Sequence, residues 1–287
     1  MYAKLVKISL KAWTRSPRDN FYAVRKRVVA IDSKQQSKVW CLSTGRVGSQ
    51  TLSELACLAK EVRGVHEPWP FAFGLSQKQY LHAEDAHAAD ILDTSLLAIR
   101  EDMIRKFAPY HYIETSPQST FLAPAIRRVF PDAKFLHIIR HPADIIRSGM
   151  RRGWFGGQSN DCTRIFPNKG EYKDRWASMN QFEKNVWLWS ETNRWIVDFM
   201  DSDTAGSGHC IKAEDIFSAE QHALEVFYNT IGVDVPKPSS IKKVLGLQLN
   251  AQKKGEFSEL SMWSDQQKSF LKELAGDLLE RFSYDVK

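Results

Sequence analysis

The sequence is poor in cysteine, and the cysteines it has are scattered. Cys41, Cys57, Cys162 and Cys210 are the four among 287 residues. Their wide, irregular spacing contains no C-x-x-C, which argues against a zinc cage or a dithiol redox pair. A reducing cytoplasm is the expected setting. No uninterrupted apolar stretch reaches the roughly 20 residues that a bilayer-crossing helix requires. The opening residues, MYAKLVKISLKAW, have their apolar run broken by lysines and fit a signal peptide poorly. Repeats and low-complexity segments are lacking, and no His, Asp or Glu cluster has metal-ligand spacing. What remains is an ordinary globular composition. With 43% hydrophobic and 26% charged residues, the chain can bury the core of a single α/β domain, and wholesale disorder is not expected. The formal charge of +6 fits a phosphorylated or sulfated ligand, an anionic membrane or a nucleic acid equally well. Charge alone selects none of them.

Residues 1–37 differ from the rest of the chain. Lys4, Lys7, Lys11 and Arg15 recur at helical spacing, with Leu5, Ile8 and Ala12 on another side. Two readings fit: a peripheral membrane helix, or a helix lying across the domain with a solvated basic face. From Lys38 to the end, short apolar runs alternate with helical patterns, as in βα units around a parallel sheet. Strands are expected at residues 38–43, 62–66, 111–114 and 134–139, with a weaker one at 210–212. Helices are expected over 48–60, along the face of Leu92, Leu96, Ile99 and Met103, over 124–130, and from Pro142 onward. Phe182, Val186, Trp189, Ile196 and Phe199 mark another. Ser264 and Gln267 suit a capping box for a last helix with Leu271, Leu274 and Leu278 on its apolar stripe. Between Arg152 and Asn180 periodicity fails, and a loop of that length is often functional.

Two strand-to-helix loops carry chemistry. The first runs Ser43-Thr44-Gly45-Arg46-Val47-Gly48-Ser49-Gln50-Thr51. Its glycines let the backbone turn tightly around an anion, to which the N–H groups at the helix start and the hydroxyls of Ser49 and Thr51 can donate. Arg46 places a permanent charge in that nest. The lysine of a Walker A loop is missing, since Ser49 follows the last glycine. The plainer reading is an ordinary glycine-containing turn. The second loop is Arg140-His141-Pro142-Ala143-Asp144-Ile145-Ile146-Arg147-Ser148. Arg140 ends a buried strand, where open α/β sheets bind ligands. Pro142 and Asp144 suit a helix start, and Ser148 follows about two turns on, at ~1.5 Å per residue. A single phosphate fits between Arg140 and Ser148. The plainer reading is a structural arginine paired with a helix carboxylate.

The R-x-G-S-x-x-L of the first loop, followed downstream by Phe130-Pro131-Asp132-Ala133-Lys134-Phe135-Leu136 and R-x-P-x-D-x-x-x-S through Ser148, resembles the sulfotransferase superfamily. The resemblance runs from about Lys38 onward. It implies a three-layer α/β fold with a central parallel sheet, helices on both faces and a P-loop-like phosphosulfate loop. It also implies a sulfonate donor, 3′-phosphoadenosine 5′-phosphosulfate (PAPS), with no metal required. The implied donor contacts are Gly45, Arg46, Val47, Gly48, Ser49, Gln50 and Thr51 for the phosphosulfate, and Arg140 and Ser148 for the 3′-phosphate. Lys253-Lys254-Gly255 resembles a downstream R-K-G, which would add Lys254. Arg46 stands where the cytosolic small-molecule branch usually carries lysine, and so looks more like the carbohydrate and bacterial branches.

Sulfonate transfer needs a hydroxyl nucleophile, a base, and a cation at the leaving oxygen. Arg46 suits the last role. Val65-His66-Glu67-Pro68 is similar to a Glu-Pro segment of carbohydrate-type sulfotransferases, which makes Glu67 the expected base and His66 the second choice. A polar side chain bonded to neighbouring backbone is the plainer reading of each. Trp69, Phe71 and Phe73, together with Trp154-Phe155-Gly156-Gly157, can stack on a sugar ring or simply pack in the core. A glycan or glycolipid hydroxyl is the leading expectation for the acceptor, with no nucleic acid as partner. Two rivals stand beside this reading. One is a P-loop kinase using ATP and magnesium, weakened by the missing Walker lysine. The other is a non-catalytic basic module for an anionic membrane or nucleic acid, supported only by the N-terminal segment.

Overall fold

The computed structural model describes residues 36–206, 208–247 and 256–286. The helix expected within residues 1–37 and the Lys253–Gly255 contact, including Lys254, lie outside the described residues, apart from Gln36 and Ser37. Five strands form one sheet: β1 (Lys38–Leu42), β2 (Val62–Val65), β3 (His111–Glu114), β4 (Lys134–Ile139) and β5 (Gly208–Lys212). All pairings are parallel and the spatial order is β2-β3-β1-β4-β5. The central strands read as continuous apolar runs because both faces are covered, as in any sheet whose crossovers are helical. Alternate residues serve opposite layers. Val39 and Cys41 face one core cluster, whereas Trp40 and Leu42 face the other.

On the first face pack α1 (Ser49–Ala56), α5 (Pro142–Arg151), α7 (Gln181–Ser202), α9 (Gln221–Ile231) and α11 (Asp265–Arg281). On the second lie α3 (Ala86–Phe107) and α4 (Ala123–Val129). Shorter helices, α2 (Phe73–Leu81), α6 (Glu171–Arg175), α8 (Ala213–Phe217) and α10 (Pro238–Leu245), complete the α-helices among the described residues. The expected α/β architecture is therefore present, and the Ser264–Gln267 capping box bonds in both directions. One boundary differs. The helix expected to reach residue 60 stops at Ala56, because Gly64 of β2 packs so closely that a Cβ there would lie 2.7 Å from the Ser53 carbonyl oxygen. The chain turns at Cys57, whose Sγ accepts the Gly64 N–H at 3.3 Å. Among the described residues no helix is long and apolar enough to cross a membrane.

The strand order decides where a ligand can sit. From β1 the chain moves out to β2 on one side, and after β3 it crosses to β4 on the other. The loops leaving the carboxyl ends of β1 and β4 diverge there and open a crevice, the usual ligand position in such sheets.

Candidate active site

The loop after β1 is held open by its own backbone. Gly45 (φ 76°), Arg46 (φ 60°) and Gly48 (φ 77°) all occupy the left-handed region, which costs a non-glycine residue such as Arg46 strain that its surroundings must offset. Thr120 supplies part of that hold, since its Oγ1 accepts the Ser43 N–H at 2.9 Å and donates to the Ser43 carbonyl at 2.8 Å. Gly48 precedes α1 without any side-chain cap. The first N–H groups of α1 thus point into the crevice with the positive end of the helix dipole, an arrangement suited to an anion. A Cβ on Gly48 would come within 2.1 Å of the Phe217 ring at the end of α8, so a side chain there would both displace that ring and strain a backbone at φ 77°.

The loop after β4 reaches the same place. His141 caps α5 by accepting the Ala143 N–H on Nδ1 at 3.2 Å, and Pro142 and Asp144 occupy the first turn as expected. Arg140 donates from Nη1 to the Arg46 carbonyl at 3.0 Å and from Nη2 to Asp144 at 2.9 Å. Arg46 donates from Nε to the Ser148 hydroxyl at 3.1 Å. Residues about a hundred positions apart in sequence therefore meet side chain to side chain. The Arg140–Asp144 pair is the carboxylate pairing expected of a structural arginine, but both partners stay partly exposed. A pair in that setting contributes little to stability, so it does not account for the arginine by itself. Burial, followed by the nearby Arg152 and Arg140 cations, lowers the Arg46 pKa to about 10, with Glu67 opposing. The guanidinium remains charged at neutral pH.

Glu67 thus belongs to the same electrostatic neighbourhood, although it comes from the far side of the sheet at the end of β2. It is exposed and adopts φ 46°, another left-handed non-glycine residue. His66 beside it is half-buried, and its Nδ1 is buried with no hydrogen-bond partner. Burial lowers its pKa, with Glu67 and the Thr115 backbone opposing, so the imidazole is neutral at pH 7. Residues 40–233 match the profile described as the sulfotransferase family. The chain belongs to that family. The match sets aside both the kinase and the non-catalytic readings. Curated proteins give no sequence match. Among solved structures the chain is similar to the sulfotransferase domain from the curacin biosynthetic pathway, at 15% identity and TM-score 0.54, covering 88% of this chain and 99% of that one. It is also similar to the sulfotransferase STF9 from Mycobacterium avium, at 11% identity and TM-score 0.50, covering 93% and 80%. These likenesses are of fold.

Trp69 and Phe71 are each 58% exposed, and Phe71 lies 6.0 Å from Phe73 at the start of α2. Trp154 and Phe155 behave otherwise and follow the core-packing alternative. Trp154 is buried under the Arg164 guanidinium, 4.5 Å from its ring, and Phe155 packs edge-on against Trp176. The irregular stretch from Arg152 to Asn180 is also more tied down than its composition suggests. Asp161 accepts the N–H groups of Phe155, Gly157 and Gln158 at 2.9–3.0 Å. Gln77 of α2 donates to the carbonyls of Cys162 and Arg164. Ser49 and Thr51 are buried in the α1 start, whereas Gln50 is half-buried. Sequence reasoning passed over Arg152 and Phe217. The first was signalled by its position one helical turn beyond Ser148, at the end of α5; the second had no local signal, because only the fold carries α8 to Gly48. Among the described residues no His, Cys, Asp and Glu group is arranged to hold a metal.

Proposed function

We propose that this sulfotransferase takes its sulfonate from PAPS and passes it to an acceptor hydroxyl, and that residues 38–287 form the catalytic domain behind a basic N-terminal extension. The co-substrate supplies an activated sulfonate whose bond to the bridging phosphate oxygen breaks as the acceptor oxygen bonds to sulfur. The residues present fit such a ligand. An uncapped helix start, a run of left-handed backbone and a cluster of arginines converge where the strand order opens the sheet. In this reading Gly45, Val47, Gly48, Ser49, Gln50 and Thr51 hold the phosphosulfate, and Arg140 and Ser148 hold the 3′-phosphate. Arg46 neutralises the oxygen that leaves with the nucleotide. Glu67 removes the acceptor proton, because its carboxylate is exposed whereas His66 is half-buried and less accessible. The observation that carries the reading is the contact between Arg46 and Ser148, which joins the two loops into one anion site.

For the acceptor we favour a sugar-bearing molecule, a glycan or a glycolipid. Trp69 and Phe71, flat and open to solvent two and four residues after Glu67, are placed to stack on a sugar face or an apolar tail. A cytoplasmic enzyme, touching the membrane surface through its basic extension, is the setting we infer from the cysteine pattern and the lysine spacing of residues 1–37. The donor assignment is tested by thermal shift. 3′-Phosphoadenosine 5′-phosphate should raise Tm and ATP with magnesium should not, since only a ligand bound by the native state stabilises it. Stabilisation by ATP with magnesium alone would overturn it.

A further inference from the structure

The segment that carries Glu67 has little regular structure of its own, yet it keeps a backbone that non-glycine residues avoid. What holds it lies in a buried polar network on the second face of the sheet. Glu114, at the end of β3, is 0% exposed, and Arg100 of α3 is 1% exposed. Arg100 grips both Glu114 oxygens, from Nε at 2.9 Å and from Nη2 at 3.1 Å. Tyr112 and Ser119 donate to the same carboxylate at 2.7 and 2.8 Å. The remaining arm of Arg100, Nη1, donates to the Pro70 carbonyl at 2.9 Å. Two residues further on, the Ala72 N–H donates to Oε1 of Gln118, itself buried, at 2.6 Å. On the other side of Glu67, the Val65 carbonyl accepts both the N–H and the hydroxyl of Thr115.

A buried ion pair of this kind is a poor way to gain stability, since apolar residues of equal volume often serve as well or better. Its value is geometric. The guanidinium is a rigid planar fork, so fixing two arms on Glu114 also fixes the direction of the third. Here the third arm ends on backbone three residues after Glu67.

We propose that Arg100, locked by Glu114, and Gln118 are positioning residues that clamp residues 65–72 and thereby aim the Glu67 carboxylate at the acceptor hydroxyl. The inference rests on the reading of Glu67 as the base. It makes the left-handed backbone of Glu67 intelligible. Anchors on Val65 before it and on Pro70 and Ala72 after it fix both ends of the turn, and the turn carries the strain. Neither Arg100 nor Gln118 touches a reacting atom in this scheme.

The test uses two variants of the full chain, Arg100→Lys and Gln118→Met. The first keeps a charge beside Glu114 but loses the fork. The second leaves the ion pair untouched and removes only the acceptor for Ala72, so it serves if the first fails to fold. Amide hydrogen exchange is read on peptides covering residues 65–71, with β1 and β4 peptides as the fold control. We expect exchange about ten-fold faster at 65–71 and unchanged in the control, as for local opening of one segment. Unchanged exchange at 65–71 in a folded variant overturns the clamp. Its purpose is read by a double-mutant cycle with Glu67→Gln. The assay is transfer from radiolabelled PAPS to n-octyl β-D-glucopyranoside, or to water as uncoupled hydrolysis. Each variant alone should lower kcat about 10–100-fold, the scale of a misplaced reacting group, with KM for PAPS unchanged. In the Glu67→Gln background the same changes should cost less than about 3-fold, because residues acting through one group are not additive. Equal losses in both backgrounds would reduce Arg100 and Gln118 to structural residues. A Glu67→Gln enzyme of nearly wild-type activity would instead overturn the base assignment, and the clamp with it as a catalytic device, while the exchange data still report whether the segment is held.

Discussion

The two sides of the proposed active site are built by different means. On the side proposed for the donor, the loops after β1 and β4 are shaped largely by consecutive residues. Left-handed backbone at Gly45, Arg46 and Gly48 leads directly into the uncapped start of α1, and Arg140 leads directly into the capped start of α5. On the side proposed for the acceptor, more of the hold comes from outside the segment held. The Glu67 turn takes its shape from Arg100, Thr115 and Gln118, and the stretch after Arg152 takes its shape from Asp161 and Gln77. An anion can be bound by backbone N–H groups that any sequence offers once it turns correctly. A hydroxyl acceptor has to be met by particular side chains, and the turn that carries Glu67 is anchored by residues distant in sequence.

The contrast is tested hardest at Glu67. Glu67→Gln should lower turnover by roughly 10²–10⁴-fold, the span for losing a positioned base, while the Kd for 3′-phosphoadenosine 5′-phosphate stays the same. His66→Ala should cost less, since that ring is only half accessible. The reverse ranking, with a folded but inactive His66→Ala enzyme, would give the base role to histidine.

Acid should strike the donor side through the strand beneath it. His137 of β4 is buried, with Nε2 2.9 Å from Asn193 Oδ1, and burial lowers its pKa from 6.5 to about 4. The unfolded chain therefore takes up the proton more readily than the folded one. The stability that neutral His137 contributes is present above about pH 6.5 and is lost as the pH falls towards about 4. Its size is on the order of 3 kcal/mol. Tm measured between pH 7 and pH 4 should fall less steeply for His137→Gln than for the wild type. Parallel curves would assign the acid loss to other groups.

A smaller, more selective effect is expected at Arg140. Arg140→Ala should weaken 3′-phosphoadenosine 5′-phosphate by about 10–100-fold, as for one charge-assisted hydrogen-bonded contact. Adenosine 5′-phosphate should be nearly unaffected. Titration calorimetry with both nucleotides separates the outcomes, and equal weakening would mean that the Asp144 pair matters more than the ligand. The smallest effect is a choice of cleavage site. Limited trypsin digestion should cut first at Lys169, which is exposed, and spare Arg164, which lies half-buried over Trp154. Donor product together with acceptor should slow that cut. First cleavage at Arg164 would show that the Asp161 turn does not hold its loop.

Much of the fold and of the donor side is legible in the chain itself. The apolar runs of β1 and β4 fit only buried strands, and Pro142 and the Ser264–Gln267 pair mark helix starts where they are found. The short helices α8 and α10 and the edge strand β5 are faint or silent. They have too few turns, or too exposed a face, for hydrophobic period to stand out. The aromatic residues show the same limit. Trp69 and Trp154 sit in similar company in the sequence, yet one is open to solvent and the other is buried under an arginine.

By itself, the sequence determined the features that depend on neighbours along the chain: the alternation of strand and helix, the tight glycine turn before α1, and the arginine and serine spaced two helical turns apart. Backbone conformation and helix period are local, so they leave a local imprint. The tertiary structure alone decided that Arg46 meets Ser148, that Phe217 closes over Gly48, and that Arg100 reaches Pro70 from within the core. Those contacts join residues that only the strand order β2-β3-β1-β4-β5 and the packing of its two helical layers bring together. No spacing along the chain encodes a distance across a sheet.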